Sequence, residues 1–489
     1  MDLQPSDSWL ASRVKDRDWI VFFVELSEFR LSPRGALEAL LVRPYPFLLE
    51  SASGNQKIAR FSLVGSDPYQ VIWSRGKKAF LLGRAGEDSW NIEDPFGILR
   101  TQLQERPTLV PEVLQGFVGG AVGFFGYDMK NQIERLPDTV KDDLHMPEMF
   151  WAFVDEVLVF DRVENTTRIL VQAPFEGNLS RCRRYAVDKA RSFLARFEVK
   201  RSRVDHEPFR FGDILSNHTP ESHRIMVERC KEYIAAGDIF QANLSQRLKT
   251  PFQGDPFLLY ESLARINPSP FAFFFGFPDF QLVSCSPERL VCLEGSRVQT
   301  RPIAGTRPRG SNVEEDEALC RELILNPKER AEHIMIVDMA RNDIGRVCRY
   351  GTVLLDELMV IEPYSHVFHI VTNVTGRLNR KADSMDLVRA VFPGASITGV
   401  PKVRCMEIID ELEDVRRGPY TGSAGWISFT GDMDLNIIIR TLLLRCGFAT
   451  IHVGGGIVWD SEPRREFEET LHKGRALLEA LEMAQKENA

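Results

Sequence analysis

Short apolar runs broken by turn residues fill the first two hundred positions of this chain, as in Val71-Ile-Trp73, Ala79-Phe-Leu-Leu82 and Val157-Leu-Val-Phe160. Runs of this length bounded by turn signals predict strands, and so a strand-rich N-terminal region. Gly119-Gly-Ala-Val-Gly123 and Gly126 suit strands that pack closely, because a missing side chain lets backbones approach. The pattern changes at Ser180 to Phe197, where Tyr185, Ala190, Phe193, Leu194 and Phe197 share one stripe of an amphipathic helix. Charged residues from Lys200 to Glu207, closed by Pro208, read as a connector. Thr219 then predicts an N-cap, Pro220 the first helical residue and Gly237 the stop of a helix that leads into a strand at Gln241. Helix and strand signals are mixed without regular alternation, so the expected class is α+β and not a doubly wound sheet. The organisation predicted is a strand-rich domain over 1–200, a linker over 201–218 and a second domain over 219–485.

With 489 residues, 44% hydrophobic and 27% charged, the chain has room for two domains or one large composite body. A net charge of -8 without a lysine-rich tract argues against a nucleic-acid partner. The longest apolar stretch, around Pro270 to Phe277, is too short to cross a bilayer, so no membrane partner is expected. Met-Asp-Leu-Gln-Pro-Ser-Asp at the N-terminus lacks a basic segment followed by an apolar one, and export is not expected. The eight cysteines form no CxxC pair and no Cys/His spacing suited to zinc; buried, reduced thiols in a cytoplasmic enzyme fit that pattern.

Two pairs of carboxylates stand out. Glu329 and Glu332 are three apart in the helical run Lys328 to Ile344 and share a face, and Glu466 and Glu469 repeat the arrangement near the C-terminus. Helices offering such pairs could together hold one Mg²⁺, an ion that takes a few carboxylates, keeps waters and accepts an anionic substrate group. Two solvated helix faces are the other reading. Gly454-Gly-Gly456 follows a strand pattern and could offer backbone N–H groups to a carboxylate, or be a bulge or tight bend. Arg440 ends the apolar run Asp434 to Ile439 and needs a partner if buried. Glu288, in Ser286-Pro-Glu288, could serve as a general acid if burial raised its pKa. His369, between apolar residues, could be structural or catalytic.

Taken in order, Gln241-Ala-Asn-Leu-Ser-Gln-Arg247, Ser286-Pro-Glu288, Arg301-Pro-Ile-Ala-Gly-Thr-Arg307, Ala331-Glu-His333 and Gly454-Gly-Gly456 resemble the chorismate-utilising enzymes, the family of anthranilate synthase component I and aminodeoxychorismate synthase component I. The resemblance spans almost the whole chain. It implies an α+β body of two large antiparallel sheets packed together with helices outside, to which both halves of the chain contribute. It also implies Mg²⁺ on Glu332 and Glu469, supported by Glu329 and Glu466. Tyr420, Arg440, Gly454, Gly455 and Gly456 match positions for a substrate carboxylate, Gly305 and Thr306 match the turn that cradles the substrate, and Lys402 could add positive charge. Glu288 resembles the acid that protonates the departing C4 hydroxyl of chorismate. His369 matches a histidine tied to loss of the enolpyruvyl side chain.

Gln241 stands where salicylate and isochorismate synthases carry a lysine that deprotonates water. A glutamine cannot be that base, whereas ammonia needs none, so the resemblance points to an aminating member. Asn243, Ser396-Ile-Thr-Gly399, Asp434-Leu-Asn-Ile437 and Pro270-Phe-Ala272 resemble the aminodeoxychorismate synthase branch. Ala304 cuts the other way, standing where some members of that branch have a nucleophilic lysine. Anthranilate synthase component I is therefore the alternative, and a non-catalytic metabolite-binding subunit a second one. Leu48-Leu-Glu-Ser51 resembles a tryptophan pocket, which Ser51, Asn267, Pro268, Pro270 and Phe271 would form. No cysteine lies in a Gly-x-Cys-x-Gly setting, so ammonia is expected from a separate glutamine amidotransferase subunit.

Overall fold

The computed structural model describes residues 2–15, 18–54, 58–83, 86–198, 208–364 and 367–488. Among them, twenty-six strands assemble into one sheet of fourteen and one of twelve. Pairing is antiparallel except where Trp19–Glu25 runs parallel to Thr108–Leu109. This is the α+β class that the sequence predicts, in the two-sheet form that the resemblance implies.

Each sheet draws strands from both the N-terminal and the C-terminal part of the chain. In the larger one, Phe47–Glu50 is hydrogen-bonded to Phe271–Gly276, with Leu49 opposite Phe273. In the smaller, Gly120–Phe125 pairs with Ser423–Ser428, with Gly123 opposite Gly425. The segment 199–207, which contains the whole of the expected Lys200–Glu207 connector, lies outside the described residues. Further on, Arg210–Phe211 and Leu215–Ser216 are short strands paired to Gln241–Gln253, so this stretch of 201–218 is built into the larger sheet.

Four layers result: helices, larger sheet, smaller sheet, helices. Period-two alternation sorts the side chains between them. Along Phe271–Gly276, Phe273 and Phe275 enter the core between the sheets, while Phe274 faces the outer helices. Along Met149–Val154, Phe150 and Ala152 face the inter-sheet core, and Trp151 and Phe153 the helices on the other side. Both faces of these central strands are buried, which is why they read as continuous apolar runs. Trp151 is completely buried, and truncating it to Ala should cost about 3–5 kcal/mol.

The helix predicted after the connector runs Pro220–Ala236, with Thr219 capping it and Gly237 in the left-handed region at φ 83°. The amphipathic helix falls at Leu179–Ala195. The two carboxylate-bearing helices are Pro327–Gly345 and Pro463–Glu487. Pro327–Gly345 packs over the smaller sheet and Pro463–Glu487 over the larger. No described helix is long and apolar enough to cross a membrane.

Candidate active site

Glu288 lies at the start of Arg289–Glu294 and is 8% exposed. The Ser396 hydroxyl donates to its Oε1 at 2.7 Å. Burial is the main cause that pushes the carboxyl up to about 7, while Ser396, the charge of Arg440 and the backbone N–H of Ile303 pull the other way. At neutral pH this group is therefore poised between acid and carboxylate, as a general acid requires. Glu288 and Ser396 line a small cavity of ≈ 30 Å³ together with Asp343, Pro302 and Ile437.

Arg440 has φ 51° and, among the described residues, no ion pair. Burial lowers its pKa, and the nearest acidic influences are Cys285, Glu288 and Tyr364. A half-buried guanidinium without a carboxylate partner calls for an anion. His369 is buried beside it; its Nδ1–H donates to the Gly305 carbonyl at 3.1 Å and lies 3.0 Å from Thr306 Oγ1. Burial, followed by the positive charge of Arg440, holds the imidazole down at about 4, and Lys473 adds to that effect. His369 is thus neutral at pH 7, and with Nδ1 acting as donor, Nε2 carries the free lone pair.

The Gly305 turn is a bulge in Ile303–Pro308, where the register against Val367–Arg377 shifts between Ala304 and Thr306. Gly305 has φ 71°, and a Cβ there would sit 3.0 Å from Glu329 Oε2. Only glycine meets both demands.

The glycine triplet departs from expectation. It does not follow a strand; it lies inside one, Phe448–Ile457, with Gly454, Gly455 and Gly456 opposite Ser245, Leu244 and Asn243. Close approach explains its composition: a Cβ on Gly456 would lie 2.2 Å from Gln241 Nε2, and one on Gly454 2.8 Å from the Tyr420 hydroxyl. Tyr420 stacks on His452 with ring centroids 5.1 Å apart, which fixes its hydroxyl over the triplet. The side-chain oxygens of Gln241 and Asn243 are buried there without a hydrogen-bond donor.

The four glutamates border the same space from two sides. Glu329 faces Gly305, and Glu466 and Glu469 face Gly455. Glu332 joins them electrostatically: burial raises its pKa most, Lys328 opposes this, and the like charges of Glu329, Glu466 and Glu469 reinforce it. Three of the four carboxylates sit beside cations, Glu329 on Arg307 at 3.0 Å, Glu469 on Lys473 at 2.8 Å and Glu332 at 3.9 Å from Lys328. Among the described residues no three acidic, His or Cys side chains form a closed metal cage. The donor set still fits Mg²⁺, which binds through one or two carboxylates and leaves positions for water and a substrate oxygen.

Lys402 is placed differently from the expectation that it adds free charge at the substrate. Its ammonium is bound to Asp343 at 2.7 Å and to the Val391 carbonyl at 3.0 Å. Of the residues expected to form a tryptophan pocket, Ser51, Pro270 and Phe271 line a cavity of ≈ 310 Å³ between the sheets, with Arg60, Arg289 and Trp426. Asn267 and Pro268 are not part of that lining; Asn267 caps the helix Pro256–Ile266 and the Pro268 carbonyl accepts from Ser53 at 2.7 Å.

A buried ion pair absent from the sequence reading organises the site. Arg417, 1% exposed at its side chain, binds Glu413 at 2.7 Å. It also donates to the carbonyls of Asn243 at 2.6 Å and Ile397 at 3.0 Å. Glu413 in turn accepts from the Ser245 N–H at 2.8 Å and its hydroxyl at 2.9 Å. Together they tie the Gln241 strand to the Ser396 segment. The signal was an i,i+4 Glu/Arg spacing, which exposed helices display far more often than buried turns do.

Comparison with known proteins agrees with this geometry. Residues 44–479 match the family of chorismate binding enzymes, and the chain belongs to that family of chorismate-utilising enzymes. It is 42% identical over 445 residues to anthranilate synthase component 1 of Acetivibrio thermocellus, covering 90% of each chain. It is 40% identical over 452 residues to aminodeoxychorismate synthase component 1 of Bacillus subtilis, covering 91% of this chain and 93% of that one. The crystal structure of anthranilate synthase component I from Streptococcus pneumoniae superposes with a TM-score of 0.76 at 32% identity, over 86% of this chain and 92% of that one.

Proposed function

We propose that this chain aminates chorismate, giving 4-amino-4-deoxychorismate, with ammonia supplied by a separate glutamine amidotransferase subunit. One observation carries the choice of branch: three of the four segments that resemble aminodeoxychorismate synthase lie around Glu288, while Pro270-Phe-Ala272 lines the Ser51 cavity. The Asn243 N–H donates to the Thr398 carbonyl at 2.9 Å, Ser396 donates to Glu288, and the Ile437 N–H donates to the Glu288 carbonyl at 3.0 Å. Three segments that differ between the branches thus adjoin the acid assigned to the C4 hydroxyl.

In this reading Arg440, the Tyr420 hydroxyl and the backbone at Gly454–Gly456 bind one carboxylate of chorismate, filling the vacant partner position of the guanidinium. Glu332 and Glu469, with Glu329 and Glu466 beside them, would hold Mg²⁺. The ion, when bound, supplies positive charge that lets the acidic cluster receive the second carboxylate. Anchoring both anionic ends fixes the ring and presents C4 to Glu288. Glu288 donates its proton as the hydroxyl departs, and Ser396 stabilises the carboxylate left behind. Ammonia adds without a protein base, which suits a site holding Gln241 in place of lysine. The unpaired amide oxygens of Gln241 and Asn243 are acceptors suited to N–H groups. The cavity at Ser51, Pro270 and Phe271 would take tryptophan as a feedback ligand.

Anthranilate synthesis is the second reading, favoured by Ala304, which cannot form a covalent adduct at C2. Neutral His369 beside Arg440 suits removal of the enolpyruvyl group in that case. Incubating the purified chain with chorismate, Mg²⁺ and an ammonium salt separates the two. A 4-amino product that retains its enolpyruvyl ether is expected; fluorescent anthranilate with free pyruvate would overturn the choice of branch.

A further inference from the structure

A second large cavity opens at one end of the space between the sheets, away from Glu288 and Arg440. Its volume is ≈ 610 Å³, within the range of about 300–1,000 Å³ typical of small-molecule sites. The walls are aromatic. Trp73 and Phe80 stack with centroids 5.2 Å apart and planes at 5°, Phe150 and Phe277 meet at 4.2 Å, and Tyr45 and Phe280 complete the lining. Flat ring faces set close together favour a planar aromatic guest.

The polar lining is cationic and incompletely paired. Arg75 is engaged by Asp142 at 3.1 Å, and Arg416 by Asp138, with Glu148 at 3.8 Å. Arg445 has no carboxylate partner among the described residues. It donates to the Leu144 carbonyl and lies 3.4 Å from Met146 Sδ. Its Nε is buried without an acceptor, as is that of Arg416. Lys78, exposed at the rim, makes no ion pair among the described residues. Of the acids in the lining, Asp279 is exposed to solvent. The Glu148 carboxyl is raised by burial to about 7 and carries only part of its charge at neutral pH. Guanidinium-bearing side chains lining a cavity beside stacked rings are the complement of a carboxylate attached to a ring.

The geometry points to this cavity as a binding site for a small aromatic carboxylate, distinct from the chorismate site and from the Ser51 cavity. Thr441–Arg445 connects it to the chorismate site: Arg440 precedes that strand and Arg445 ends it, roughly 17 Å away at the rise of an extended chain. The inference rests on the cavity alone and stands whichever amination the chain performs.

Calorimetric titration of the purified chain with indole-3-acetate, and in parallel with its uncharged isostere indole-3-acetamide, tests it. The acid should bind at least about tenfold more tightly than the amide, the difference expected of a charge-assisted hydrogen bond. Arg445→Gln should abolish that preference. Lys78→Glu, at an exposed position where folding is not at stake, should weaken the acid several-fold and spare the amide. Ser51→Phe, which fills the other cavity, should leave the titration unchanged. The proposal falls if acid and amide bind equally, if Lys78→Glu is without effect, if Ser51→Phe removes the binding, or if no heat develops up to about 1 mM ligand.

Discussion

Glu288 and the glutamate quartet are carboxylates of one site with opposite surroundings. Glu288 is buried, accepts one hydroxyl and one backbone N–H, and feels Arg440 only at a distance. Glu329, Glu332 and Glu469 are partly open to solvent and lie against Arg307, Lys328 and Lys473. Desolvation without a bonded cation raises the pKa of the first to about 7. The others keep contact with cations and solvent, while burial and neighbouring like charges raise the pKa of Glu332. In the proposed reading one side-chain type would supply an acid in one place and anionic ligands in another, with environment dividing the tasks.

The sharpest way to break this contrast is Glu288→Gln, which preserves shape and removes the transferable proton. Turnover with chorismate should fall about 10³-fold, with KM nearly unchanged. The same variant carries a stability signature. Burial raises the pKa of Glu288 above its value of 4.5 in the unfolded chain, so its contribution to stability is intact below pH 4.5 and is lost as pH rises through about 7. Unfolding of Glu288→Gln at pH 8 should therefore show it gaining on the parent, by on the order of 3 kcal/mol, a gain absent at pH 4. Equal stability at both pH values would mean that the carboxyl is not buried as the fold implies.

Next in size is Glu469→Ala or Glu332→Ala, for which activity should drop about a hundredfold, with the Mg²⁺ concentration needed for half-activity rising. Unchanged Mg²⁺ dependence in both variants would reduce the quartet to solvated helix faces. The smallest effect belongs to Ser396→Ala. It should slow turnover about tenfold and, because Ser396 lowers the pKa of Glu288, move the alkaline limb of the kcat/KM profile to higher pH. A limb moved to lower pH would show that the hydroxyl serves the protonated form instead.

Much of the fold was legible because burial on both faces leaves an unmistakable mark: Phe273, Phe274 and Phe275 are consecutive because two cores claim them. Caps were equally plain, since Thr219, Pro220 and Gly237 each act within one turn. Glu288, Arg440 and the glutamate helices emerged as candidates through their motifs, and the structure brings them around one space. What could not be read were consequences of long-range approach. Gly454–Gly456 looked like a bend because glycine usually marks one, and only the packing of Gln241 and Tyr420 shows that the strand needs it. Lys402 looked free because Asp343, 59 positions away, gives no local sign of being its partner. The aromatic cavity is drawn from six separate stretches of chain, and no window of sequence contains it.

The interleaving of the halves bears on how the protein is born. Gly120–Phe125 borders Met149–Val154 on one side and, on the other, a strand beginning at Ser423. Its second neighbour leaves the ribosome only after roughly three hundred more residues, some 15 to 60 seconds at about 5–20 residues per second. Throughout that interval a nascent, wholly apolar strand has one edge bare, a period in which a chaperone or a premature partner can claim it.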